Sequence, residues 1–402
     1  MLSRRLLKQN TLLQWPAICR RVSQRVPFDL DEEDDKYKSF NNMYVEMFTP
    51  MDDVVVPQKN EHCDKSTNQI DEINQEMNEL YNIGFEKLSS LELDEVVKNK
   101  GRFILQSLST NPYYNLALED YVFRHTPLEN DFCSHRLLFY KNYNCVVIGK
   151  NQTVWKELFL NNLAPRGYEF LRRLSGGGAV VHDLGNVNYS YITSRKEFDR
   201  HFFSKLIIKW LRNRYPHIAL NVGPRGDILL DGKKVSGSAF KISKGKAYHH
   251  GTMLINSNLE NFKGLLKPDT VNGVSWSCNS VDSVRSQVTN IPLDGTECFI
   301  DTCVRGFQER FNSANVYTDK VPVYYCDEIC TINEDITHTM SKLQSDKWKF
   351  FSGPDFTLQI ADGNHELSVK KGIIVSSSIP ETVGLSFKEF TEGFEGNSFS
   401  AP

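Results

Sequence analysis

Three stretches of the chain carry residue types at spacings capable of chemistry. RRLSGGGAVVHD, residues 172 to 183, sets two arginines ahead of three consecutive glycines. A glycine in a regular element is worse than alanine by about 0.5–1 kcal/mol, so a run of three marks a place where the backbone itself is used. No Gly-Lys-Ser/Thr follows, which excludes a P-loop, and neither GxGxxG nor a helix follows, which excludes a dinucleotide fingerprint. The pattern instead predicts an incoming strand, a close turn at SGGG and an outgoing strand, with main-chain N–H groups able to hold an anion. Arg172 and Arg173 alternate across the incoming strand, so one of them faces the cleft that the glycines open, where a guanidinium would meet a phosphate.

The second stretch, DILLDGKKVSGSAFK at 227 to 241, reads as a hairpin turning at Asp231-Gly232. Lys234 follows the turn, and Gly237 between two serines again permits close backbone approach. The third, AYHHGTMLI at 247 to 255, is a further strand. The pairs His182/Asp183 and His249/His250 resemble acid–base pairs, but strand alternation turns one member of each away, and we read them as structural. The polar segment DSVRSQVTN, 282 to 290, carries one arginine and says nothing by itself.

These segments need elements to hold them. FILQSLS from Phe103 is a strand, and Asn111-Pro112 starts a helix, PYYNLALEDYVFRH. LLFYKN and CVVIGKN are strands, and residues 199–213 form a helix with Phe203, Leu206, Ile207, Trp210 and Leu211 on one face. Further strands are expected at 166–174, 179–182, 187–193, 227–231, 234–242 and 247–255. Strands in tandem with a few helices on one face indicate an α+β fold. After Pro292 come a helix bearing Ile300, Val304, Phe307 and Phe311, another helix near 334–344, and the strands of KFFSGPDFTLQI and HELSVKKGIIVSS.

We therefore divide the chain into four parts. Residues 1–28 hold six basic residues and no acid, with Leu2, Leu6, Leu7 and Leu13 on one side of a helix, the composition of a mitochondrial transit peptide. Residues 29–100 are polar and acidic, mostly disordered, with a weak helical pattern at 70–81. Residues 101–292 form the main ordered domain and 293–402 a small C-terminal domain. The net charge of −3 and the lack of a long apolar run give no signature of nucleic-acid or membrane binding. Nine cysteines without metal-site spacing read as reduced and mostly structural, and no metal site is expected.

Taken together, NPYYNLALEDYVFR, VVIGKNQTVWKE, RRLSGGGAVVHDLGN, KKVSGSAFK with HHGTMLIN, and SVRSQVTN resemble the lipoate-protein ligase A family and its eukaryotic lipoyltransferase relatives. The resemblance covers residues 103–292. It implies a biotin/lipoate protein ligase-like α+β catalytic domain followed by a small α+β accessory domain. It also implies a reaction in which ATP, with Mg2+, activates lipoate or octanoate to an acyl adenylate, and the acyl group passes to a lysine of a lipoyl domain. The partners so implied are E2 subunits of 2-oxoacid dehydrogenases and the glycine-cleavage H protein, in the mitochondrial matrix.

Residue by residue, Lys234 matches the family's essential lysine, shared by nucleotide and lipoate. Arg173 matches its ATP-contacting arginine, and Gly178, Ala179, Val180 and Val181 match its nucleotide-binding strand. Gly176 and Gly177 would make room for the acyl group. The family's adenylate loop commonly carries Lys-Gly-Ile, whereas this chain has the longer VNGVSWSCNSVDSVRSQV without that lysine. The alternative is an ATP-independent lipoyl- or octanoyltransferase that takes the acyl group from acyl-CoA or a lipoylated carrier protein, with Cys278 as candidate nucleophile.

Overall fold

The computed structural model describes residues 85–267, 273–312, 320–360 and 365–393. The chain divides into two compact units, Met1–Glu72 and Ile73–Pro402, and every described residue belongs to the second. The transit-peptide segment 1–28 and the helical pattern at 70–81 lie outside the described residues. Within the polar segment the structure has a helix that low apolar density concealed, α1 (Ser90–Lys98), closed by a reciprocal Ser89–Glu92 capping box. Among the described residues no helix is long and apolar enough to cross a membrane.

Strand β1 (Phe103–Ser107) leads to α2 (Pro112–His125), whose start is set by Asn111 accepting from the N–H groups of Tyr113 and Tyr114. Then come β2 (Arg136–Tyr140), β3 (Cys145–Ile148), the one-turn α3 (Val154–Glu157), β4 (Glu169–Arg172), β5 (Val180–His182) and β6 (Asn186–Ser194). Helix α4 (Phe202–Arg214) precedes β7 (Leu220–Val222), β8 (Ile228–Leu230), β9 (Lys233–Ser236), β10 (Ser238–Ser243), β11 (Lys246–Leu254) and β12 (Val274–Cys278). The expected single strand at 234–242 is thus two strands broken at Gly237. The remainder is α5 (Thr296–Phe311), β13 (Val323–Cys326), α6 (Glu328–Thr331), α7 (Glu334–Gln344), α8 (Asp346–Lys349), β14 (Phe356–Ile360), β15 (His365–Lys370), β16 (Ile373–Ser377) and α9 (Phe387–Gly393).

The largest sheet runs β10-β11-β6-β2-β1-β13, antiparallel at the β10 end and parallel across β2-β1-β13. Side chains leave its two faces alternately. Ile104, Leu137, Phe139, Tyr189 and Tyr191 pack under α4 and α5, while Leu105, Leu138, Ile192 and Tyr248 pack under α1, α2 and α7. Helices therefore cover both faces, not one as the order of elements suggested. The strands reflect this: β6 and β11 are buried along their whole length.

A second core forms where the sheet β4-β3-β5 meets the sheet β12-β14-β15-β16, with Val146, Trp155 and Phe170 against Phe356, Leu358 and Phe387. Packing does not divide at residue 292. Strand β12, from before it, edges the C-terminal sheet, while α5 and β13, from after it, complete the large one. The reason is burial: Gly306 of α5 lies against the Trp210 ring of α4, and Val323 pairs with Ile104, so these pieces have no core of their own.

Candidate active site

Strand β3 lies between β4, parallel to it, and β5, antiparallel to it. The two strands flanking SGGG are thus not partners, and the glycine run crosses over the end of β3. The crossing is tight: a Cβ on Gly149, just beyond β3, would lie 2.0 Å from the Gly177 carbonyl oxygen. Gly177 itself has φ +92°, a conformation that side chains disfavour.

Arg173 holds this crossing from inside. Its Nη2 donates to the carbonyls of Gly176 at 2.6 Å and Gly178 at 2.8 Å, its Nη1 to Val147 at 3.1 Å, and its Nε to Ser175 Oγ at 3.0 Å. Arg172 points the other way, donating to the carbonyls of Lys150, Gln152, Trp348 and Lys349. The expected alternation is therefore present, and both side chains are buried. Loss of hydration pushes each guanidinium down to about 10, which leaves both charged at neutral pH, compensated by carbonyl dipoles.

Ser175 extends the network. Its Oγ is 2.9 Å from His250 Nε2, and His250 Nδ1 is 3.0 Å from Glu119 Oε1 on α2. Arg173 donates to Ser175 Oγ, and His250 bridges that hydroxyl to the Glu119 carboxylate, its Nδ1–H donating to Glu119.

Lys234 arrives from the β8–β9 hairpin, whose turn residues Asp231 and Gly232 have φ +48° and +77°, the two positive values of a type I′ turn. Its ammonium lies 3.3 Å from Asp227 Oδ2, and Asp227 Oδ1 accepts from Ser238 N–H at 3.0 Å. The side chain crosses Gly237 so closely that a Cβ there would be 3.2 Å from Nζ. The segment 287–289 fixes the backbone of Lys234: its N–H donates to the Gln287 carbonyl at 2.8 Å, and Thr289 N–H donates to its carbonyl at 3.0 Å. Ser283, four residues earlier, accepts from Ala179 N–H at 2.7 Å, joining this segment to the glycine crossing.

One cavity results, lined by Arg173, Gly178, Ala179 and Val180 from the crossing and by Lys234 and His250 from the hairpin and β11. Five of the residues singled out in the sequence, Arg173, Gly178, Ala179, Val180 and Lys234, thus converge. Four others do not line it. Gly176 and Gly177 shape the loop around Arg173, Val181 turns into the second core, and Cys278 lies on β12 with its Sγ 3.0 Å from Ser280 Oγ. Sequence reasoning missed Asp227, Ser283, Asn188 and Tyr140, which also line the cavity, and the Glu119–His250–Ser175 chain. Asp227 opens the hairpin stretch and Ser283 opens SVRSQVTN, but nothing local marks either as a site residue. Of the histidines read as structural, His182 lines the cavity and His249 does not, and desolvation pushes each of these two down to about 3 and keeps it neutral. Among the described residues no group of three or more His, Cys, Asp or Glu is placed to hold a metal ion.

An α+β domain in which a glycine-rich crossing and a hairpin lysine frame one cavity has the architecture of the lipoate and biotin ligase class. The Plasmodium falciparum LipL1 crystal structure in complex with lipoate shares that fold, with a TM-score of 0.52 and 23% identity over 68% of this chain and 83% of that one. The profile of the lipoyl protein ligase A/B catalytic domain matches residues 111–311, and the chain belongs to that family. It is 46% identical to the Saccharomyces cerevisiae "Putative lipoate-protein ligase A" over 377 residues, 90% of this chain and 91% of the yeast protein. It is also 39% identical to the human "Lipoyl amidotransferase LIPT1, mitochondrial" over 193 residues, 48% of this chain and 50% of the human one. The chain is thus an enzyme of the ligase or acyltransferase kind.

Proposed function

We propose that the enzyme activates lipoate or octanoate with ATP to an acyl adenylate and transfers the acyl group to one lysine of a lipoyl domain in mitochondria. The observation that carries this reading is that the ammonium of Lys234 shares one cavity with the Gly178–Val180 segment and with an apolar wall of Leu116, Tyr140 and Val147. The apolar wall suits a hydrocarbon chain, and the lysine with the crossing's main chain suits a phosphate and an acyl carbonyl.

A carboxylate is a poor acyl donor. Its oxygen attacks the α-phosphorus of ATP, the bond from that phosphorus to the β-phosphate oxygen breaks and pyrophosphate departs, and the resulting mixed anhydride has AMP as its leaving group. The acceptor amine then attacks the acyl carbon, the tetrahedral oxyanion collapses, and AMP leaves. Lys234 would neutralise charge in both steps, with the Asp227 carboxylate 3.3 Å from its ammonium. Arg173 keeps the crossing in shape through the Gly176 and Gly178 carbonyls.

The names of the yeast relative and of a Psychrobacter cryohalolentis "Lipoate-protein ligase A", 32% identical over 64% of this chain and 74% of that protein, support the ligase reading. The human relative's name supports the mitochondrial one. The lipoyl-domain acceptors, on E2 subunits or the glycine-cleavage H protein, follow from the family reaction. Cys278 does not line the cavity, so no observation favours a thioester route.

The test is lipoate-dependent exchange of pyrophosphate into ATP, run beside acyl transfer to an apo lipoyl domain from lipoate plus ATP or from octanoyl-CoA. Exchange together with ATP-dependent transfer is the expected result. Transfer from octanoyl-CoA without exchange would overturn the proposal.

A further inference from the structure

His182 is almost wholly buried, 3% exposed, and lines the cavity. Its Nδ1 lies 3.0 Å from Asn142 Nδ2, and its Nε2 has no hydrogen-bond partner among the described residues. The tautomer can be traced through the side chains behind it. Asn115 Nδ2 faces the carbonyls of Ser109 at 2.9 Å and Lys141 at 3.0 Å, which only accept, so that amide is oriented. The same nitrogen is 2.9 Å from Asn142 Oδ1, which orients the second amide and points its N–H2 at His182. Nδ1 must therefore accept, and the proton of the neutral ring sits on Nε2. Burial, with Arg173 and His250 nearby, pushes the ring down to about 3 and keeps it neutral.

Position along β5 says what this donor meets. Val180 and His182 share the cavity face while Val181 packs into the second core. At about 3.3 Å per residue, His182 stands on the order of 7 Å along β5 from Val180, away from the glycine crossing. A carboxyl group held near Gly178 and Lys234 would thus send the far end of its chain past Val180 toward His182. Saturated hydrocarbon offers Nε2–H nothing and displaces any water that served it. A ring sulfur is a weak acceptor.

Resting on the proposed function, we propose that His182 is a specificity-determining residue that selects an acyl chain ending in a disulfide ring over a plain alkyl chain of similar length. The decisive comparison is the affinity of the full chain for free lipoate and free octanoate by titration calorimetry. Wild type binds lipoate about ten-fold more tightly, the size expected when one buried donor is met or left unmet. His182→Phe brings the ratio close to one by weakening lipoate, and His182→Gln, whose amide restores an N–H, keeps most of it. His182→Leu reads the same ratio should the phenyl ring prevent folding. An unchanged ratio in the Phe or Leu variant, or equal weakening of both acids, would overturn the proposal. Adenylate formation is measured separately: a ratio that depends on His182 without pyrophosphate exchange would sink the ligase reading and leave this one standing.

Discussion

The Lys234 ammonium lies 3.3 Å from the Asp227 carboxylate, and both line the cavity. Lys234→Met should lower kcat for adenylate formation about 10²–10³-fold without lowering the melting temperature, since the side chain packs into no core cluster. Lys234→Arg should not rescue, because the planar fork cannot replace a point charge crossing Gly237. Pyrophosphate release and thermal unfolding of the same preparations check both.

Gly237→Ala tests the crossing itself. The new Cβ would lie 3.0 Å from Lys234 Cε, so the lysine must swing away from its present path. We expect a roughly ten-fold loss of kcat/KM, about 1.4 kcal/mol, with folding retained. Full activity would show that Lys234 needs no fixed path.

Arg173→Lys leaves loop carbonyls unmet, because an ammonium cannot span Val147, Gly176 and Gly178. It should cost about 1–3 kcal/mol of stability and raise the KM for ATP. Arg172→Lys should also destabilise, since its carbonyls include Trp348 and Lys349, but should leave the KM for ATP near wild type. Urea unfolding with ATP titration separates the two.

Acid should destabilise the fold through buried imidazoles. Desolvation holds His135 down to about 4 and His182 and His249 down to about 3, whereas an unfolded chain titrates near the ordinary value of 6.5. Between these values the unfolded state binds more protons, so the stability these rings give is present above pH 6.5 and is lost as pH falls. The slope is at most about 1.4 kcal/mol per pH unit for each ring. Urea midpoints at pH 7.5 and 5.0 should show the fall, and His249→Phe should flatten it.

Gly306→Ala serves as a contrast remote from the cavity. Its Cβ would come within 2.3 Å of the Trp210 ring, forcing α4 and α5 apart. A loss of about 1–3 kcal/mol is expected, with kcat of the folded fraction unchanged. A change in kcat would mean that the helix layer bears on the site.

Local signals were legible where their physics is local. Asn111-Pro112 marks the start of α2, whose bounds follow from the cap and the buried run after it. Asp231-Gly232 marks the β8–β9 turn because two positive φ values demand those residues. The capping box Ser89–Glu92 was equally local, but the polar, acidic composition of the surrounding segment hid it. The break at Gly237 was not legible, because alternation continues through it. What breaks the strand is the Lys234 side chain crossing that glycine and Thr252 Oγ1 accepting from its N–H.

The sequence by itself determined the residue types and the family: a glycine run behind two arginines, a lysine after a tight turn, and motifs in one order. Only the tertiary structure decided that β4 and β5 flank β3, so that SGGG crosses it, and that Arg173 holds the crossing. It alone brought Asp227 to Lys234, Ser283 to Ala179, and Glu119 through His250 to Ser175. Backbone conformation and hydrophobic period act over a few residues, whereas strand neighbours are chosen by which arrangement buries the apolar faces of the sheets. That choice is made by the whole chain at once.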